Sequence, residues 1–122
     1  MRTEKLLSLR SKILLDDEKS PLEIEHFQNN CIRPILKFQN EVLLTFFRAQ
    51  ILDIKIPKTE KEIEDFVRTR LQKDIVSRNI IIGMILGLMT NEELSFYNQN
   101  KSELSRRIIN MVVQRSSCQL NN

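Results

Sequence analysis

From Ile24 onward the apolar residues recur at steps of three and four. Ile24, Phe27, Cys31, Ile35, Phe38, Val42, Phe46 and Ala49 make one stripe of a continuous helix. Ile32, Leu36, Leu43 and Phe47 make a second stripe beside it, so the apolar face is wide. Such a face suits a helix packed against two or more neighbours. Pro34 interrupts the pattern, because it removes one backbone N–H and disfavours helical geometry at Arg33. The stripe keeps its phase across Pro34, which predicts a kinked helix. Two helices meeting near Asn30 are the alternative.

Helix starts are written into the chain three times. Ser20 with Glu23, Thr59 with Glu62 and Thr90 with Glu93 each place a hydroxyl three residues before a glutamate. In such a capping box the hydroxyl accepts from the backbone N–H three residues on, and the glutamate reaches back to the cap's own N–H. Pro21 stands at the first helical position, where its missing N–H costs nothing. Met89 and Leu94 flank the third box at the spacing of a hydrophobic staple.

The remaining pattern fills in around these marks. Residues 4–15 read as a short helix carrying Leu6, Leu7, Ile13 and Leu14, and residues 16–19 as a polar connector. A connector around Pro57 precedes the Thr59 helix, whose inward residues are Ile63, Phe66, Val67, Leu71 and Ile75. Residues 80–89 are apolar on every side apart from Gly83 and Gly87. A helix apolar all round is a buried one, so this segment is expected at the centre of the domain or in a dimer core. A buried strand is rejected because no partner strand is visible. A short helix follows Thr90, and Asn100 with Glu103 resembles a further N-cap. Leu104, Ile108, Met111, Val112 and Arg115 define the last helix.

The expected architecture is therefore all-α: one domain over residues 1–122, a bundle of five or six helices. Residues 1–19 are its N-terminal helix and connector, and residues 116–122 a frayed tail. The long kinked helix and the apolar helix 80–89 are its spine. A chain of 122 residues is long enough to bury a core without staples. No apolar run reaches the length of a membrane span, and the first fifteen residues lack the pattern of a secretory signal. Cys31 and Cys118 have no metal or redox spacing, and two free thiols fit a reducing cytoplasm.

Little in the chain names a chemistry. His26 is the single histidine, and a zinc site needs three or four ligands at suitable spacing. No metal and no cofactor are expected. Gly83 and Gly87 form a GxxxG, which lets two helices approach closely. Close packing within one subunit is the first reading of this pair, with Met84 and Leu88 beside it. A homodimer seam is the second. Net charge is +3, without the single-sign stripe of a nucleic-acid protein. Glu64–Arg68, Asp74–Arg78 and Glu103–Arg107 are spaced as i, i+4 ion pairs. Arg106 and Arg115 are left over as candidate phosphate contacts. Gln39 and Asn40 are polar residues on otherwise apolar stripes; they either satisfy buried partners or line a small-molecule cleft.

The strings Phe27-Gln28-Asn29 and Arg33-Pro34-Ile35-Leu36-Lys37-Phe38-Gln39-Asn40 resemble a group of small bacterial all-helical proteins of unknown function. So do Lys73-Asp74, Arg78-Asn79, Gly83-Met84-Ile85 with Gly87, and Arg107 with Asn110-Met111-Val112. The likeness runs from about residue 20 to 115, and members of the group often carry the label "glyoxalase". It implies a helical domain and brings no established functional residue with it.

Three functions are compatible with these observations. The foremost is a non-enzymatic cytoplasmic protein that works by helix packing against a protein partner, including a second copy of itself. A nucleic-acid or ribosome-associated protein using the basic last helix is the alternative. An enzyme with a cleft at Gln39 and Asn40 comes third. For the architecture, circular dichroism should show a predominantly helical protein, and a strand-dominated spectrum would overturn the reading of residues 80–89.

Overall fold

The computed structural model describes residues 2–9, 23–50 and 59–120. All of its regular elements are helical: α1 (Arg2–Ser8), α2 (Glu23–Phe27), a π turn (Gln28–Ile32), α3 (Arg33–Phe38), α4 (Asn40–Gln50), α5 (Glu60–Lys73), α6 (Ile75–Leu86), α7 (Asn91–Gln99) and α8 (Lys101–Leu120). The all-α class is as expected, with the elements more finely divided than five or six helices. The Ser20 box, the 16–19 connector and the connector around Pro57 lie outside the described residues.

Pro34 acts through its missing N–H. The backbone upstream takes up the defect as a π turn, in which the Arg33 N–H reaches back five residues to the Gln28 carbonyl. The chain stays helical through Pro34 and turns only at Gln39, at φ −88° and ψ 5°. A π turn holds one residue more than an α turn, so it rotates everything after it by about 100°. The buried face therefore changes stripe. Phe27, Cys31 and Ile35 are buried from the first stripe, and Ile32, Leu36, Leu43 and Phe47 from the second. Phe38 and Val42, expected inward, are 46% and 51% exposed. The expectation that one stripe keeps its phase is thus corrected.

The spine is also different from the expected one. α8 is the element on which the others meet: α4, α5, α6, α7 and the π turn all pack on it. Leu104, Ile108, Val112 and Ser116 lead down one row to Leu120, with Ile109, Val113 and Ser117 in the row beside it, and all are buried. Of residues 116–122, expected as a frayed tail, 116–120 continue α8, and the last two lie outside the described residues. The last turn of α8 is tied down by Cys118 to Glu60 of α5 and by Gln119 to Asn40 of α4.

α6 begins earlier than the pattern implied. Asp74 caps it, accepting from the Ser77 N–H at 3.0 Å and the Ser77 hydroxyl at 2.7 Å. These bonds from Ser77 hold the Asp74 carboxyl below the ordinary carboxylate range. The i, i+4 pair expected with Arg78 gives way to this cap. Ile75, expected inward at the end of α5, instead opens α6 and is 65% exposed. At the far end, Arg2 of α1 donates to the Met89 and Gly87 carbonyls, a cation placed on the negative end of the helix.

Two of the expected boxes fall within the described residues. At Thr90 both halves form: Thr90 Oγ1 accepts from the Glu93 N–H at 3.2 Å, and Glu93 Oε1 accepts from the Thr90 N–H at 2.9 Å. Met89 is buried and Leu94 packs against the core, as a staple requires. At Thr59 the hydroxyl accepts from the Glu62 N–H, which is the cap half of the motif. Asn100 works backwards from expectation. Its side chain donates to the Phe96 carbonyl and so closes α7, leaving its main-chain carbonyl to receive the Leu104 N–H of α8.

Thr90→Ala should lower unfolding stability by about 1 kcal/mol, the usual worth of a side-chain cap. Thr59→Ala, at an exposed cap, should cost less. Urea unfolding of both variants checks the order, and a reversed order would contradict the assignment of the complete box to Thr90.

Candidate functional site

Gln39 and Asn40 follow one another at the α3–α4 junction, both half-buried. Consecutive residues leave a helix in different directions, and these two go to different partners. Gln39 Nε2 donates to the Met84 carbonyl of α6 at 3.0 Å. Asn40 turns to α8 and forms a two-way amide pair with Gln119: Nδ2 donates to Gln119 Oε1 at 2.8 Å, and Oδ1 accepts from Gln119 Nε2 at 2.9 Å. The same Oδ1 accepts from Arg115 Nε at 2.9 Å. The two amides therefore stitch α3–α4 to two different helices instead of sharing one cleft.

Arg106 and Arg115 are likewise separated. Nine residues of helix amount to about two and a half turns, so the two side chains leave opposite sides of α8. Arg106 has a partner that i, i+4 spacing did not reveal: it donates to Glu103 at 2.7 Å across i, i+3. Arg107 takes the other oxygen of Glu103 at 2.9 Å. These two donors hold the Glu103 carboxyl below the ordinary range. Arg106 also lines a recess of about 370 Å³ between α5, α6 and α8, together with Arg68 and Arg78. Arg68 there is paired with Glu64 at 3.1 Å and with Asn110 Oδ1 at 2.6 Å.

Arg115 lines a separate recess of about 420 Å³ between α3 and α8, with Arg33 and Lys37. Sequence spacing alone carried part of this signal. Arg33 and Lys37 are i, i+4 on α3, and Met111, Gln114 and Arg115 share one side of α8. What brings the two sets together is the packing of the π turn and α4 on α8, which no local pattern encodes.

The glycine pair lies on the outer face of α6. Val76, Ile80, Gly83 and Gly87 follow at steps of four, three and four, which places them on one side. Val76 is 70% exposed and Ile80 43%, and both glycines are exposed as well. Ile81, Ile82 and Ile85 occupy the opposite, buried side. A Cβ built on Gly83 has nothing within 4 Å among the described residues, and one on Gly87 meets only the Gly83 carbonyl of its own helix, at 3.2 Å. The expectation of a close crossing inside the subunit is therefore corrected, as is that of burial all round. Met84 and Leu88 are half-buried beside the pair. Met84 joins Val42 and Phe46 of α4 in a recess of about 430 Å³, so exposed apolar surface continues from α6 to α4.

Other candidates resolve locally. His26 is exposed and shares a hydrogen bond with Asn30 at 2.9 Å. Tyr97 is buried, its hydroxyl bonded to Ser105. Among the described residues no three His, Cys, Asp or Glu side chains converge as a metal site would need, and no helix is long and apolar enough to cross a membrane. Cys31 is buried and Cys118 exposed, and neither is in a disulfide. Cys118 Sγ donates to Glu60 Oε1 at 2.9 Å, and that bond raises the thiol above its ordinary range.

The chain matches no protein-family model, no curated protein and no solved structure.

The Cys118 contact yields a measurable consequence. The Glu60 carboxylate favours the protonated thiol, so thiolate forms only at higher pH than for an ordinary cysteine. Iodoacetamide should modify Cys118 slowly near neutral pH, and Glu60→Gln should shift the pH dependence of the rate downward. A rate profile unmoved by Glu60→Gln would separate Cys118 from α5.

Proposed function

We propose that this protein is a helical interaction module that pairs with a second copy of itself through the outer face of α6. The observation that supports this most is the combination on that face of exposed apolar side chains with Gly83, a glycine inside the helix that the described part of the subunit does not need. Glycine in an exposed helix interior costs about 1 kcal/mol relative to alanine. Gly83 has no positive φ to accommodate and no close neighbour to clear among the described residues, whereas Gly87 caps the helix, with the Gly83 carbonyl 3.2 Å from where a Cβ would stand. Their placement in phase with Val76 and Ile80 fits a close approach of another helix, for which a side chain of one hydrogen is the steric requirement. Apolar surface of this kind, extended over Met84, Val42 and Phe46, is the usual mark of a partner site.

Binding of nucleic acid by the last helix has weaker support, because Arg106 and Arg107 are engaged by Glu103 and Arg115 stands on the side of α8 opposite Arg106.

Light scattering of the purified protein should give a dimer at concentrations of roughly tens of micromolar. Val76→Asp and Gly83→Leu should each shift it to monomer with the helical spectrum retained, since the monomer has room for both side chains. Gly83→Ala should raise the stability of a monomeric Val76→Asp background by up to about 1 kcal/mol. A wild-type monomer under these conditions would rule out self-association.

A further inference from the structure

We infer that the recess between α3 and α8 is a binding site for a small phosphate monoester with an apolar body. Three cations, Arg33, Lys37 and Arg115, line one open space of about 420 Å³, a size within the range of small-molecule sites. Its lining contains no carboxylate, and none of the ion pairs among the described residues involves these three cations. Glu41, four residues beyond Lys37, lines the α4–α6 recess instead. Three like charges around one space repel each other, and an anion placed among them relieves that repulsion.

The cation from α8 is also held in place. The Arg115 Nε–H is engaged by Asn40 Oδ1, and Asn40 is fixed by its amide pair with Gln119. One edge of the guanidinium is therefore committed to the protein, which limits how the rest of the group can turn. Guanidinium groups match the oxygen spacing of phosphate, and charge-assisted bonds to phosphate are among the strong ones. Leu36 and Met111 supply apolar surface to the same recess, and Gln114 an amide. Cations, an amide and an apolar wall together select an organic phosphate over inorganic phosphate.

The other arginine-lined recess provides the contrast. There Arg68 and Arg106 already carry Glu64 and Glu103, so of its three cations only Arg78 stands outside an ion pair among the described residues. A nucleic-acid backbone needs a run of cations along a surface. The cations of the α3–α8 recess are gathered around one space; Arg106 lies on the opposite side of α8, and Arg107, two turns up the same side as Arg115, is engaged by Glu103 and Gln28. This site is separate from the α6 face and does not depend on dimer formation.

Phenyl phosphate is the probe, followed by ¹⁵N-edited NMR of the full chain, with phenol, inorganic phosphate and a single-stranded oligouridylate as comparisons. The expected result is saturable shifts at Arg33, Lys37, Met111 and Arg115 with phenyl phosphate, weaker shifts with inorganic phosphate and none with phenol. Lys37→Gln and Arg33→Gln, both on exposed residues, should each weaken binding by about tenfold, as expected for losing a charge-assisted contact. Arg115→Gln should do the same. Asn40→Ala should weaken binding while leaving every charge in place, which identifies Asn40 as a positioning residue. Absence of saturable shifts at millimolar phenyl phosphate overturns the site, as does binding that Lys37→Gln and Arg33→Gln leave unchanged. Tighter, steeply salt-dependent binding of the oligouridylate through the same residues would replace it with a nucleic-acid surface.

Discussion

A helix that is contacted on several sides must present apolar or small side chains on several sides, and α8 meets that condition over its whole length. Its two neighbouring rows, ending in Ser116, Ser117 and Leu120, give the other helices a surface on which to lie. Polar residues of α8 make specific bonds to the helices around it. Arg107 reaches Gln28, Asn110 reaches Arg68, Arg115 and Gln119 reach Asn40, and Cys118 reaches Glu60. Burial supplies the driving force, and these bonds set which helix lies against which part of α8. The α3–α8 recess is a by-product of that arrangement, because Arg115 is fixed by the same Asn40 that docks α4.

Local physics was legible in the residues, and tertiary register was not. The Thr90 box and its Met89–Leu94 staple could be read directly, since every partner lies within a few positions. The same holds for the inward row Ile63, Val67 and Leu71, and for the Glu64–Arg68 and Glu103–Arg107 pairs. Phe38 and Val42 could not be placed, because the π turn shifts the phase by a residue that the spacing does not mark. Pro34 signalled a defect without saying whether the helix would bend, break or widen. Asn100 was ambiguous because an amide both accepts and donates, and the structure uses it as a donor to Phe96.

The candidate sites divide in the same way. That Gly83 and Gly87 share a face with Val76 and Ile80 follows from helical geometry alone. That this face points outward depends on the opposite side, Ile81, Ile82 and Ile85, having found the core. The i, i+4 spacing of Arg33 and Lys37 put two cations on one side of α3, but the site also needed Arg115, 82 and 78 positions further along the chain. Long-range juxtapositions of this kind are what a periodic pattern leaves undetermined.

The role of α8 has a consequence for how the protein is made. A ribosome delivers the chain from its N-terminal side at about 5–20 residues per second. Helices α2 to α7 therefore emerge before the surface they pack on has been synthesised. Leu43 and Phe47 of α4 must wait for residues 104–120, an interval of several seconds at that rate. During that time their side chains are in water or against a chaperone. The fold closes only when its last helix arrives, so synthesis halted before α8 leaves an uncovered apolar chain instead of a smaller folded one.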